Sequence, residues 1–213
     1  MITNERIVSF IHSLENGNGD VCDEIEAFAH ETYVPIIRKE MESFLKVMIR
    51  IKQPKRILEL GTAIGYSAIL MAKCMPQDCH ITTIENYEKR IPIARANFVK
   101  AGVEDKVTLL EGDAKEILDT LTGEYDFVFM DAAKAQYMSY LESLRSLMPK
   151  GAVLIADNVL QEGELMESKY VVERRNRTIH ARMREFLYYM KHNDEFETTI
   201  VPIGDGITLS VRK

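Results

Sequence analysis

The chain has 213 residues, of which 46 % are hydrophobic and 28 % charged, with a formal net charge of −6. That is enough for one well-buried core in a single globular domain, and the negative charge excludes a protein that coats nucleic acid with its whole surface. No apolar run approaches the roughly 20 residues of a membrane helix, and residues 1–6 lack the basic-then-apolar pattern of a signal peptide.

The first 55 residues read as a helical cap. Ile7, Phe10, Ile11 and Leu14 follow the i, i+3, i+4, i+7 rhythm of one apolar face. The turn residues Asn16-Gly17-Asn18-Gly19-Asp20 break it. Two more helices are predicted over 22–33 and 36–51, separated at Pro35, with Ile37, Met41, Phe44, Leu45 and Met48 on one stripe. Cys22, Cys74 and Cys79 are an odd set with no C-x-x-C pair, which predicts reduced thiols and a cytoplasmic home.

Residues 56–213 alternate strands and helices, the pattern of a parallel sheet with helices on both faces. Strands are predicted at 56–60, 80–85, 106–110, 125–131 and 151–158. Helices are predicted after the glycine turn, over 87–101 and over 168–192. Strands at 197–203 and 206–212 flank Gly204-Asp205-Gly206, a hairpin signal.

Five of these strands end in acids: Glu59, Glu85, Asp113, Asp131 and the pair Asp157-Asn158. In an open parallel sheet, ligands sit beyond the carboxyl ends of the strands. One acid there is commonly a helix cap, but five in succession favour a shared site. The first strand runs through Glu59-Leu60-Gly61-Thr62-Ala63-Ile64-Gly65-Tyr66-Ser67, a glycine-bearing turn into a helix N-terminus. The three-glycine dinucleotide pattern is absent. Glu59 suits an amine-bearing ligand better than phosphate, and S-adenosylmethionine, with its ammonium and sulfonium, fits that description. Glu85 stands where an acid accepts both ribose hydroxyls, and Asp113 and Ala114 stand where an adenine edge would be read, though capping explains either acid too.

Asp131, Asp157 and Asn158 offer hard oxygen ligands on neighbouring strands, which suits Mg²⁺ or Ca²⁺ rather than zinc. Asp157-Asn158 also reads as an ordinary turn pair. Lys134, three residues past Asp131, would gain a role as proton acceptor only beside such a metal. The stretch 169–184 holds six basic residues and one acid, a local charge of +5 against −11 for the remainder. Arg174, Arg175, Arg177, Arg182 and Arg184 form either a nucleic-acid footprint or a solvated or dimer-contact helix face.

Glu59-Leu60-Gly61-Thr62-x-x-Gly65-Tyr66-Ser67, Asp131-Ala132-Ala133-Lys134-x-x-Tyr137 and Asp157-Asn158 together resemble the metal-dependent O-methyltransferases of the catechol and caffeoyl-CoA type. The resemblance extends from about residue 35 to the C-terminus. The run 157–163 and the stretch Glu173-Arg174-Arg175-Asn176-Arg177 are more similar still to a bacterial branch that methylates 5-hydroxyuridine at the wobble position of tRNA. The resemblance implies a Rossmann-like methyltransferase fold with a seven-stranded, mostly parallel sheet, a C-terminal antiparallel hairpin and N-terminal helices. It implies S-adenosylmethionine contacts at Ile37 (from the N-terminal helix), Glu59, Gly61, Thr62, Ser67, Glu85, Asp113, Ala114 and Asp131. It implies Mg²⁺ on Asp131, Asp157 and Asn158, Lys134 as general base, and the tRNA anticodon region as partner. Gln161 stands where the caffeoyl-CoA enzymes have a tryptophan, and this chain has no tryptophan, which leaves room for a larger, polar acceptor. A homodimer through the N-terminal apolar helices is also expected.

Overall fold

The structure, a computed structural model, describes residues 3–213, the side chain of Glu162 excepted; Met1 and Ile2, part of the segment read for a signal peptide, lie outside it. Three helices lead: α1 (Glu5–Leu14), α2 (Asp20–Thr32) and α3 (Lys39–Lys52). Then β1 (Arg56–Leu60), α4 (Tyr66–Cys74), β2 (His80–Glu85), α5 (Ile91–Ala101), β3 (Val107–Glu111), α6 (Ala114–Thr120) and β4 (Phe127–Met130) alternate. A 3-10 turn at Lys134–Gln136 leads into α7 (Tyr137–Leu147), β5 (Val153–Ala156), a second 3-10 segment at Gln161–Met166, α8 (Arg177–His192), β6 (Phe196–Val201) and β7 (Ile207–Arg212).

The strands form one sheet in the order β3-β2-β1-β4-β5-β7-β6. The first five are parallel, and β7 runs antiparallel between β5 and β6. The expected α/β sheet and its closing hairpin are therefore present. The chain crosses over between β1 and β4, so a crevice opens beyond their carboxyl ends, the switch point where such sheets take ligands.

The N-terminal helices share the sheet's core. Cys22, Ile25, Met41, Leu45 and Ile49 pack in one buried cluster with Ile57, Ile69, Ile81 and Phe129. A second cluster on the other face holds Leu58, Val128, Tyr137, Leu144, Leu154 and Phe186. All three cysteines are free thiols. No helix among the described residues is long and apolar enough to cross a membrane.

Several predicted boundaries shift for identifiable reasons. The helix expected from residue 87 begins at Ile91, because Pro92 is tolerated only in a first turn. The helix expected from residue 36 begins at Lys39, so Ile37 lies in an extended segment after Pro35 rather than on a helix. The helix expected from residue 168 begins at Arg177. The Arg177 side chain itself donates to the carbonyls of Val172 and Tyr170 (3.1 and 3.3 Å), holding the preceding segment in turns. Arg174 and Arg175 thus stand on a turn, not a helix.

The apolar stripe of α1 is also placed differently from its usual use. Val8 is buried, while Ile7, Phe10 and Leu14 are more than half exposed. Val47 and Ile51 of α3 are exposed as well.

Candidate active site

The crevice beyond β1, β2, β4 and β5 holds a cavity of about 560 Å³. Its wall includes Ile37, Arg38, Gly61, Ala63, Glu85, Asn86, Ala114, Asp131, Lys134, Tyr140, Asp157, Asn158 and Asp205. A smaller opening of about 400 Å³ shares Lys134 and Asp205 and continues to Gln161, Glu164, Asn176 and Ile179.

The turn after β1 is built around a buried carboxylate. Glu59 is fully buried and accepts hydrogen bonds from Thr62 Oγ1 (2.8 Å), Ser67 Oγ (2.5 Å) and Thr83 Oγ1 (2.5 Å). The turn itself is held by Gly61 N–H donating to Ile84 O (2.9 Å) and Gly65 N–H donating to Thr62 O (2.7 Å). Gly61 takes φ +91°, and a Cβ there would sit 2.2 Å from the Asp131 carbonyl oxygen, so only glycine fits. Glu59, Thr62 and Ser67, expected as contact residues, stand behind the cavity wall and fix its shape. Gly61 and Ala63 supply its surface.

Glu85 lines the cavity with a carboxylate already engaged by backbone. Oε2 accepts from Ala63 N–H (2.7 Å), and Oε1 accepts from Asn86 and Tyr87 N–H (3.0 and 2.9 Å). The acid thereby ties the end of β2 to the glycine turn. Asp113 caps α6, accepting from the N–H groups of Lys115 (2.8 Å) and Glu116 (3.3 Å). Its neighbours Gly112 and Ala114 line the cavity, while Asp113 does not.

The acids of β4 and β5 meet. Asp131 and Asp157 directly follow their strands, and the Asp157 N–H donates to Met130 O (2.9 Å). Asn158, in the left-handed region at φ +60°, turns its Nδ2 to Asp131 Oδ1 (3.0 Å). Burial raises the pKa of both carboxyls; Lys134 opposes the shift, and Asp131 adds to that of Asp157. Two desolvated carboxylates side by side need a cation between them or a shared proton. Two carboxylates and an amide, all oxygen-capable, fit a hard divalent ion. Among the described residues no group of three or more His, Cys, Asp or Glu forms a cage, so acceptor oxygens or water would complete its coordination.

Nothing in the sequence marks Arg38 or Asp205 as site residues. Arg38 Nη2 donates to Asp205 Oδ1 at 2.8 Å, bridging the segment before α3 to the β6–β7 turn across the cavity wall. Gly204-Asp205-Gly206 announces a hairpin and nothing about what the hairpin faces. Of the basic stretch, Arg182 donates to Ala135 O and Arg184 to Leu165 O, both at 3.0 Å, while Arg175 pairs with Glu173 (2.7 Å). All five arginines are exposed, and three of them also brace loops beside the site.

A seven-stranded sheet of this order, with its cavity at the β1/β4 switch, defines a Rossmann-like methyltransferase. Residues 18–213 match the O-methyltransferase family model, and the chain belongs to that family. Caffeoyl-CoA O-methyltransferase from Populus kitakamiensis is 32 % identical over 175 residues, covering 79 % of this chain and 74 % of that protein. Catechol O-methyltransferase from Niastella koreensis is 35 % identical over 128 residues, 58 % of each chain. The crystal structure of the O-methyltransferase TomG from Streptomyces achromogenes, in complex with SAM, superposes with a TM-score of 0.87 at 26 % identity over 100 % of both chains.

The Glu59 pocket makes stability depend on pH. Burial lifts its carboxyl from 4.5 to about 7, although the Ser67, Thr83 and Thr62 hydroxyls pull it down. Between those values the folded protein holds a proton that the unfolded chain has released, so stability falls as pH rises through this window. Glu59→Gln removes that dependence. Its melting temperature relative to wild type is expected to rise by roughly 5–10 °C between about pH 5 and pH 8. A constant difference across that range would show that Glu59 is ionised throughout.

Proposed function

We propose that this chain binds S-adenosylmethionine in the larger cavity and transfers its methyl group to a ring hydroxyl that has a second oxygen beside it. The observation that carries this is the cluster at the cavity floor, with Asp131, Asp157 and Asn158 on adjoining strand ends and Lys134 beside them. Support for the methyl donor comes from the full-length likeness to a structure solved with SAM.

Asp131, Asp157 and Asn158 would hold a Mg²⁺ ion, which would supply Lewis acidity that makes the acceptor hydroxyl easier to deprotonate. Lys134 takes or shares the hydroxyl's proton at Nζ as general base. The Glu59 network keeps the glycine turn at its place against the donor. Glu85 holds the far side of that turn. The Arg38–Asp205 bridge ties the segment before α3 to the β6–β7 turn in the cavity wall. The protein's contribution is positioning and desolvation, worth on the order of 7–11 kcal/mol at best.

Two acceptors carry such an oxygen pair. The names of the relatives, catechol and caffeoyl-CoA O-methyltransferase, support a small catechol-type phenol more directly. A second reading is 5-hydroxyuridine at the wobble position of tRNA, whose ring hydroxyl adjoins a carbonyl. What favours it is the exposed arginine set beside the opening at Asn176 and Ile179, a polar mouth in a chain without tryptophan. We also infer a homodimer in the cytoplasm, on the exposed Ile7, Phe10 and Leu14 face and the free thiols.

Four measurements test these readings. Asp131→Ala is expected to lose metal-dependent turnover by at least about 10²-fold; full activity of that variant in EDTA would end the metal role. Labelled methyl transfer to catechol and to tRNA from cells lacking this protein separates the acceptors. If RNA is the substrate, Arg174→Glu with Arg175→Glu weakens tRNA binding and lowers the salt slope by about 2; unchanged tRNA methylation leaves the catechol reading. Phe10→Glu with Leu14→Glu is expected to halve the sedimenting mass, and a wild-type monomer would contradict the dimer.

A further inference from the structure

Tyr137 is the first residue of α7, three past Lys134 and six past Asp131. Its ring is buried, packed edge-on against Phe186 at 5.5 Å between centroids. Its hydroxyl reaches the end of the sheet, 2.9 Å from the Asp157 carbonyl oxygen and 3.2 Å from that of Met130. A phenol has one proton to donate. Of its two acceptors the Asp157 carbonyl oxygen is the nearer and makes the stronger bond.

The peptide that Tyr137 grips is the one joining Asp157 to Asn158. That peptide's N–H, on Asn158, donates to Asp157 Oδ1 at 2.6 Å, and its turn into the left-handed region aims the Asn158 amide at Asp131. Rotating the peptide would therefore move two of the three oxygen ligands at once. The same tyrosine belongs to the turn-and-helix unit that carries Lys134.

We infer that Tyr137 is the positioning residue of the proposed cation site: its hydroxyl fixes the Asp157–Asn158 peptide, and so the spacing of Asp131, Asp157 and Asn158 relative to Lys134. It touches neither donor nor acceptor. The inference rests on the cation reading of the acid pair. Partners of this kind, one shell outside the ligands, typically change metal affinity by about 10–100-fold when removed.

The test is Mn²⁺ affinity, read from the electron paramagnetic resonance signal of free Mn²⁺, for wild type, Tyr137→Phe and Tyr125→Phe. Phenylalanine keeps the ring contact with Phe186. Tyr125 is an equally buried control whose hydroxyl donates to Thr82 Oγ1 (3.3 Å), away from the acids. The expected result is a Mn²⁺ dissociation constant raised about 10–100-fold in Tyr137→Phe and unchanged in Tyr125→Phe. Wild-type affinity in Tyr137→Phe, with lowered thermal stability alone, would reduce the hydroxyl to a structural bond and overturn the inference. A wild type that binds no Mn²⁺ would overturn the cation reading, and this inference with it.

Discussion

Glu59 is a fully buried carboxyl group, and the site takes its shape from how that group is satisfied. Three hydroxyls, from the turn, from the helix after it and from the neighbouring strand, converge on its two oxygens. An unpartnered acid at this depth would cost several kcal/mol. The turn cannot relax away from Glu59 without opening that cost, so Gly61 and Ala63 are held against the cavity. The same turn is pinned from the other side by Glu85, which accepts the Ala63 N–H. Two acids that read as ligand contacts in the sequence thus build the cradle, one from behind the wall and one within it.

The cradle and the chemical half of the site are mechanically joined. Gly61 lies so close to the Asp131 carbonyl that no side chain fits between them, and the Asp131 N–H continues the ladder by donating to Leu60 O (3.0 Å). Backbone hydrogen bonds run on to the hairpin turn: Val159 and Leu160 donate to Gly206 and Asp205 at 2.8 Å. Asp205 then meets Arg38 of the N-terminal segment. The chain before the sheet therefore contributes part of the cavity wall, through the segment before α3, as well as part of the core.

Much of this was legible in the chain. Alternating apolar runs gave the strands, because a buried parallel strand needs residues such as Ile57-Leu58 or Phe127-Val128-Phe129 on both faces. Acids at five strand ends located the working edge of the sheet. What periodicity could not show was direction. Ile7, Phe10 and Leu14 have the spacing of a core-facing stripe, yet the helix turns them outward. Strand-end position does not say whether an acid faces the cavity, as Asp131 does, or backs it, as Glu59 does. Nor does charge density distinguish a free arginine from one such as Arg182, whose guanidinium is bonded to a loop carbonyl. These are tertiary facts, decided by packing between segments far apart in the chain.

The proposed acceptor carries a pair of adjacent oxygens on one ring. The most direct test offers the protein S-adenosylmethionine with a labelled methyl group, Mg²⁺, and three acceptors in parallel: catechol, its meta isomer resorcinol, and tRNA bearing 5-hydroxyuridine. The expected result is label in catechol or in the tRNA and none in resorcinol, whose oxygens are not on adjacent ring carbons. Equal labelling of resorcinol, or label in none of the three, would contradict it.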